Sequence, residues 1–199
     1  MKKIIFLSFI LITSLSRSAT VTLNELVSNA QSTHEQADSL KDFRVVIPGV
    51  LYRGGNSGGG TQPLNAKGLK SLCEKGFSKA VYMYPDNFDR AAKPECELEY
   101  STFGGTIKDR RLIYSYLAKI KDIIDNKKGP LYIHCWNGWH ASGEMAAYAL
   151  MQFCGVNGDQ AQAYWNANVP NGSVTRIRSF KIFDDLMITA EQQSEICPK

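Results

Sequence analysis

The sequence predicts an α/β domain with a largely parallel, twisted central sheet and helices on both of its faces. Three observations support this prediction: short apolar runs typical of buried strands, helical stretches that alternate with them, and a Pro48-Gly49 turn between two extended pieces. Strands that alternate with helices favour parallel pairing, because the helix carries the chain back across the sheet. We expect one domain over residues 43–199, a length sufficient for a substantial core.

The expected strands are short and bounded by turn residues. They lie at 43–47, 50–53, 79–84, 98–103 and 131–133. The expected helices have apolar residues at helical spacing or an alanine-rich composition, and glycines follow two of them at 76 and 155. They lie at 65–75, 111–125, 143–153, 159–166 and 175–190. Residues 20–42 are polar and are expected to form a lead-in to the domain.

The amino terminus has the composition of a secretory signal peptide, expected over residues 1–19. Lys2 and Lys3 precede an apolar run of about a dozen residues, which is shorter than a membrane-spanning helix requires. Without Lys2, Lys3 and Arg17, 20 basic residues remain against 19 acidic ones. We therefore expect a periplasmic or secreted protein that, after cleavage of the signal peptide, is not stably inserted in a membrane and does not bind nucleic acid; an uncleaved anchor is the alternative.

Five cysteines occur in the sequence, at positions 73, 96, 135, 154 and 197. In an exported protein four of them are expected to pair, and four cysteines allow three pairings. We favour Cys73 with Cys96 and Cys154 with Cys197, because each pair would tie a helix end to a neighbouring loop or tail. Cys135 is then the odd residue, and its surroundings are those of a reactive thiol.

The segment around Cys135 has the pattern of an anion-binding loop. A predicted strand ends at His134-Cys135, Gly138 lies at the centre of the loop, and a predicted helix follows. Backbone N–H groups at the start of a helix lack intrahelical partners and favour a negative charge. The same field favours the thiolate form of a cysteine at the base of such a loop. One loop could therefore bind an anion and activate a nucleophile.

This stretch resembles the His-Cys-x5-Arg-Ser/Thr signature of protein tyrosine and dual-specificity phosphatases. His134, Cys135, Gly138 and Ser142 match it by position, and residues 46–53 resemble the opening strands of bacterial dual-specificity-like phosphatases. The resemblance covers about 43–153 and implies a dual-specificity-phosphatase-like fold that uses no cofactor or metal. The rest of the implied phosphate-binding loop consists of Trp136, Asn137, Trp139, Ala141 and Gly143.

The resemblance also implies roles for individual residues. Cys135 would form a cysteinyl-phosphate, Ser142 would assist its breakdown, and His134 would orient the loop. The family protonates the leaving group with an aspartate upstream of the cysteine, and Asp109 is the best placed candidate. Asp109 could equally be the N-cap of the helix that follows, and the sequence favours neither interpretation over the other.

Ala141 departs from the signature, because it stands where the family has arginine. A guanidinium binds two phosphate oxygens at once, and its loss should weaken transition-state binding. A protonated His140 could supply the missing charge, or His140 could simply pack or cap the helix. Arginines from elsewhere are the other candidates, namely Arg53, Arg110, Arg111, Arg176 and Arg178.

The two loop tryptophans also admit two interpretations. Trp136 and Trp139 could wall a substrate pocket, but burial that stiffens the loop is the interpretation we favour. The loop contains no lysine, which argues against a highly charged inositol polyphosphate as the substrate.

Three functions fit these residues. The first is hydrolysis of a phosphomonoester, on a small molecule or a phosphoprotein, through Cys135. The second is a pseudophosphatase that binds a phosphorylated or anionic ligand without turnover, which Ala141 favours. The third is sulfur transfer of the rhodanese kind, which also uses a cysteine at the base of an anion loop.

Overall fold

The computed structural model describes residues 39–58, 62–170 and 175–198. The predicted signal peptide at 1–19 lies outside the described residues, as does the predicted lead-in up to residue 38.

Within the described residues, the central sheet has five strands in the order β1-β2-β5-β3-β4. The strands are β1 (Arg44–Ile47), β2 (Leu51–Gly54), β3 (Lys79–Tyr82), β4 (Glu99–Thr102) and β5 (Leu131–His134). The β1-β2 hairpin is antiparallel, while β2, β5, β3 and β4 pair in parallel. The predicted α/β class with a largely parallel sheet is confirmed.

Five α-helices occur in the described residues. They are α1 (Ala66–Glu74), α2 (Arg110–Asn126), α3 (Ala141–Cys154), α4 (Gly158–Ala167) and α5 (Ala190–Ile196). Side-chain caps begin several of them: Asn65 accepts a hydrogen bond from the Gly68 N–H, and Asn157 forms a capping box with Gln160. Gly155 ends α3 in the left-handed conformation, as the sequence predicted.

Two apolar clusters cover the two faces of the sheet. Leu69 and Leu72 of α1 pack with Tyr132 on one face. Leu117 of α2 and most of α3 pack with Ile133 on the other. Alternate residues of β5 thus enter different clusters, because successive side chains of a strand point to opposite faces. Helices lie on both faces, as predicted.

The helix predicted at 175–190 is wrong. The described residues from 175 to 183 form no regular element, a 3₁₀ helix spans Asp184–Leu186, and α5 begins only at Ala190. Side chains of the neighbouring helices bind this backbone instead: Gln152 exchanges two hydrogen bonds with Phe183, and Gln162 accepts one from Ile177. These tertiary bonds replace helical ones, and Phe180 stacks on Tyr148 of α3.

The structure contains both of the predicted disulfides. Cys73–Cys96 joins α1 to the segment before β4, and Cys154–Cys197 joins the end of α3 to the end of α5. Cys135 is the free cysteine and is buried. No helix within the described ranges has both the length and the apolarity needed to cross a bilayer.

We expect removal of the Cys154–Cys197 disulfide to lower the free energy of unfolding. This bond closes a sequence separation of 43 residues, and cross-links of this size restrict the unfolded chain enough to contribute about 2–4 kcal/mol. Urea denaturation of the Cys154→Ser/Cys197→Ser variant would measure the loss. The Cys73→Ser/Cys96→Ser variant, with a separation of 23, is the matched comparison and should lose slightly less. Unchanged stability in both variants would contradict this prediction.

Candidate active site

The candidate site lies where the carboxyl ends of parallel strands meet. Gly54 of β2 and Tyr82 of β3 both pair with His134 of β5, so these strands end at the same level. The chain leaves β5 at Cys135 and enters α3 at Ala141. Clefts at this edge are where open α/β sheets bind their ligands.

The loop from 135 to 140 is held against the residues that follow β2. The Cys135 N–H donates to the Gly54 carbonyl at 3.3 Å, and the Asn56 N–H donates to the Trp136 carbonyl at 2.9 Å. Gly138 has a φ of +80°, and a Cβ there would lie 2.6 Å from the Gly54 carbonyl carbon. Only glycine fits this position, because a side chain would force β2 and the loop apart.

Tryptophan indoles fix the second half of the loop. Trp139 Nε1 donates to Asp42 at 2.8 Å, and Trp165 Nε1 of α4 donates to the Trp139 carbonyl at 2.9 Å. Trp139 therefore stiffens the loop, in line with the interpretation favoured from the sequence. Trp136 is different, since 46% of it is exposed to solvent. The prediction that Trp136 is buried is wrong, because only its backbone carbonyl contacts Asn56 and its ring does not take part in that contact.

Cys135 and Ser142 lie together at the base of the loop. Cys135 Sγ is 3.3 Å from Ser142 Oγ, and Ser142 Oγ is 3.4 Å from the Gly54 carbonyl oxygen. Both side chains are buried, with Cys135 only 2% exposed. Ser142 is in the first turn of α3, so the thiol sits near the positive end of that helix.

His134 supports the loop from below in a neutral form. Its Nε2 is hydrogen bonded to the Tyr100 hydroxyl at 2.9 Å, and its ring stacks on Tyr82 with centroids 4.9 Å apart. Complete burial lowers the pKa of His134 to about 3. The histidine is therefore uncharged at neutral pH, and it can orient the strand end but adds no positive charge to the loop.

Ala141 and His140 border an open cleft of about 490 Å³. The other residues lining the cleft are Tyr84, Ile107, Glu144, Trp165 and Thr175. His140 is at the N-cap position of α3, is exposed, and makes no side-chain capping bond. The space beside Ala141 is therefore open, and His140 is free to face a ligand there.

Asp109 is the N-cap of α2. Its carboxylate accepts a hydrogen bond from the Arg111 N–H at 2.9 Å and pairs with the Arg111 guanidinium at 3.2 Å. The hydrogen bond from the Arg111 side chain, with that from its backbone, lowers the pKa of Asp109. Ile107, two residues earlier, reaches the cleft, whereas the Asp109 carboxylate is engaged by Arg111.

The candidate arginines fall in different places. Arg110 lies over the Phe183 ring at 3.9 Å, Arg111 pairs with Asp109, and Arg178 is 4.0 Å from Glu144. Arg176 lines a separate cleft beside α4. Arg53 is the candidate that lies behind the loop, completely buried between β2 and the start of α3.

Sequence reasoning did not find three features of the site. The Gly54 carbonyl contacts both Cys135 and Ser142, Glu144 places a largely buried carboxylate at the cleft, and Tyr84 and Trp165 supply its aromatic walls. Glu144 could have been anticipated, because it follows the loop in the first turn of the predicted helix. Gly54, Tyr84 and Trp165 are distant from the loop in sequence and reach the site only through the arrangement of the strands and helices. In the described part of the chain, no cluster of His, Cys, Asp and Glu could hold a metal ion.

No protein-family model matches the chain, and no curated protein matches it significantly. Among solved structures it is similar to the core catalytic domain of the PP-IP phosphatase SIW14 from S. cerevisiae in complex with citrate. The identity is 14% and the TM-score 0.46, over 63% of this chain and 74% of that chain.

Two further solved structures are similar. One is a Cys-to-Ser variant of TpbA from P. aeruginosa in complex with phosphotyrosine, at 19% identity and a TM-score of 0.44, over 73% of this chain and 76% of that one. The other is a candidate phosphatase (DUF442) from Shewanella putrefaciens CN-32, at 15% identity and a TM-score of 0.45, over 79% and 92%. Values this low carry no argument about activity.

We expect Gly138→Ala to disrupt the loop. A methyl group would meet the Gly54 backbone, and the positive φ adds strain of about 1–3 kcal/mol. Gly104→Ala is the matched control, because Gly104 has a similar φ of +77° but nothing within 4 Å of a Cβ. Urea denaturation should show a larger loss for Gly138→Ala, and calorimetry should show lost phosphate binding for that variant alone. Equal losses of stability would contradict the predicted contact with β2.

The Asp109–Arg111 contact predicts a pH-dependent contribution to stability. Since the folded-state pKa of Asp109 is lowered, the ionised carboxylate stabilises the fold at pH values above the ordinary pKa of aspartate, and this stabilisation is lost as pH falls from there through the lower folded-state pKa. Asp109→Asn keeps a capping oxygen but removes the charge. Its stability deficit relative to wild type should therefore be present at neutral pH and shrink on acidification. A deficit that does not vary with pH in urea titrations would count against this.

Proposed function

We propose that the protein is a periplasmic or secreted cysteine-dependent phosphatase-like enzyme that hydrolyses a phosphomonoester through a cysteinyl-phosphate at Cys135. The 3.3 Å contact between Cys135 Sγ and Ser142 Oγ, at the start of α3, carries this proposal. The two disulfides support an oxidising compartment, and the predicted signal peptide agrees with export.

In the first step the loop holds the phosphate over the Cys135 sulfur. N–H groups at the start of α3 bind its oxygens, and the thiolate attacks phosphorus. The S–P bond forms as the ester P–O bond breaks, and the leaving oxygen takes a proton. Asp109 is our candidate donor by position. It could act only when protonated and released from Arg111, because that contact favours the ionised carboxylate.

In the second step water attacks the phosphorus of the cysteinyl-phosphate. The P–O bond to water forms, the S–P bond breaks, and the sulfur leaves as a thiolate. The Ser142 hydroxyl is within hydrogen-bond range of that sulfur and would stabilise its negative charge. Protonated His140 would add positive charge from the cleft side, where it is exposed.

The cleft favours a substrate with one phosphate on an apolar or aromatic group. Tyr84 and Trp165 offer ring surfaces beside the loop, and a cleft of about 490 Å³ suits a small molecule or a side chain of a phosphoprotein. The Glu144 carboxylate lies at the same cleft and would repel additional phosphate groups.

The alternative is a pseudophosphatase that binds a phosphorylated or anionic ligand without turnover. Ala141 favours it, because the methyl group provides no guanidinium to follow the charge of the transition state. Backbone N–H groups would still bind the ground-state anion.

Turnover of para-nitrophenyl phosphate by three forms of the mature, oxidised protein tests these functions. We expect slow hydrolysis by wild type, none by Cys135→Ser, and a kcat/KM about 10²–10³-fold higher for Ala141→Arg, whose side chain would enter the open cleft. Turnover that survives Cys135→Ser would contradict the covalent mechanism. If Ala141→Arg alone is active, the alternative function is correct for the natural chain. Thiosulfate cleavage by wild type would instead indicate sulfur transfer.

A further inference from the structure

The side chain of Arg53 is unusual for its burial. It belongs to β2, one residue before Gly54, and none of its surface is exposed. Its Nε, NH1 and NH2 atoms are all buried and have no hydrogen-bond partner among the described residues. Its guanidinium carbon lies 5.4 Å from the centroid of the Tyr164 ring, which provides an aromatic face but no acceptor in the ring plane.

The guanidinium points toward the start of α3. An ideal Cβ built on Gly143 would lie 2.5 Å from Arg53 NH1 and 2.7 Å from Trp165 Cδ1. The Cα–Cβ bonds of a helix tilt toward the N-terminus of the helix. Arg53 NH1, which lies close to this Cβ position, is therefore beside the first turn of α3. Arg53 therefore packs against the turn that contains Ala141 and Ser142, in space left by the absent side chain of Gly143.

No counter-charge for Arg53 is found in the described part of the chain. A guanidinium keeps its charge inside proteins, and an unpaired buried charge strongly destabilises the fold. Nearby carboxylates are engaged elsewhere: Asp42 contacts Arg44 and Trp139, and Glu144 accepts a hydrogen bond from Tyr148. The adjacent feature built to attract an anion is the loop itself.

We propose that Arg53 supplies, from β2, the positive charge that Ala141 does not supply from the loop. A phosphate held by the start of α3 is the counter-charge of this guanidinium. The guanidinium attracts the phosphate from behind the first turn of the helix and does not form bidentate hydrogen bonds with the phosphate oxygens. This inference rests on the proposed function in that both use the same loop, but it concerns binding of the anion rather than its turnover.

Calorimetry and thermal unfolding with inorganic phosphate test this proposal. Ionic strength is kept constant with sodium chloride, and wild type is compared with Arg53→Met. We expect Arg53→Met to bind phosphate about 10–100-fold more weakly, the range for loss of one charge-assisted interaction. Without phosphate its unfolding midpoint should equal or exceed that of wild type, because an unpaired buried charge has been removed. Phosphate should raise the midpoint of wild type far more than that of Arg53→Met.

The matched control is Arg44→Met, which changes the strand partner of Arg53. Arg44 donates to Asn168 and pairs with Asp42, so its loss should leave phosphate affinity unchanged. Wild-type phosphate affinity in folded Arg53→Met would overturn the proposal, as would a wild-type midpoint that does not respond to phosphate. A purely structural arginine would instead lower the midpoint equally with and without phosphate.

Two further variants apply if Arg53→Met does not fold. Arg53→Lys keeps the positive charge, and Arg53→Gln removes it while keeping a polar side chain. Weaker phosphate binding by Arg53→Gln than by Arg53→Lys supports the proposal, and equal affinities of the two variants overturn it. Arg53-dependent binding without turnover would reject only the proposed function. Turnover that depends on Cys135, with phosphate binding insensitive to Arg53, would reject only this inference.

Discussion

The close approach of the end of β2 to the loop after β5 is the constraint on which the site depends. The Gly54 carbonyl accepts the Cys135 N–H and contacts the Ser142 hydroxyl, so one backbone group locates both the thiol and its neighbour. Gly138 packs against the same backbone with no room for a side chain. Since β2 and β5 are adjacent parallel strands, the order of the sheet determines the geometry of the loop.

Charge at this site is distributed over several elements instead of being concentrated in the loop. The start of α3 contributes its N–H groups, His140 faces the cleft, and Arg53 lies behind the first turn. His134 adds nothing to this charge, because burial against Tyr100 and Tyr82 keeps it neutral. Glu144 opposes it from the cleft side. On the proposed function, this balance would favour a ligand with a single phosphate.

The strands and most helices could be predicted from the sequence because their signals are local. The cysteine pairs could only be favoured among three possible pairings, since the bonds join residues 23 and 43 positions apart. Apolar residues at helical spacing predict α2, and Gly155 predicts the end of α3. The residues that follow β5 predict the anion-binding loop. The segment at 175–190 could not be predicted, since Gln152 and Gln162 bind its backbone from distant helices. The sequence offers Arg53 only as one of five candidate arginines, because its position behind Gly143 depends on the pairing of β2 with β5.

The position of Arg53 on a strand bears on the choice between catalysis and binding. An arginine within a phosphate loop can follow the phosphate oxygens as charge develops, and it therefore stabilises the transition state more than the bound substrate. An arginine packed between β2, Tyr164 and the first turn of α3 cannot move in that way. It would stabilise a bound phosphate and a transition state to similar degrees, which strengthens binding without raising kcat. If the proposed function and the proposed role of Arg53 both hold, Cys135 beside Ser142 would belong to an enzyme that binds a phosphorylated ligand well and turns it over slowly.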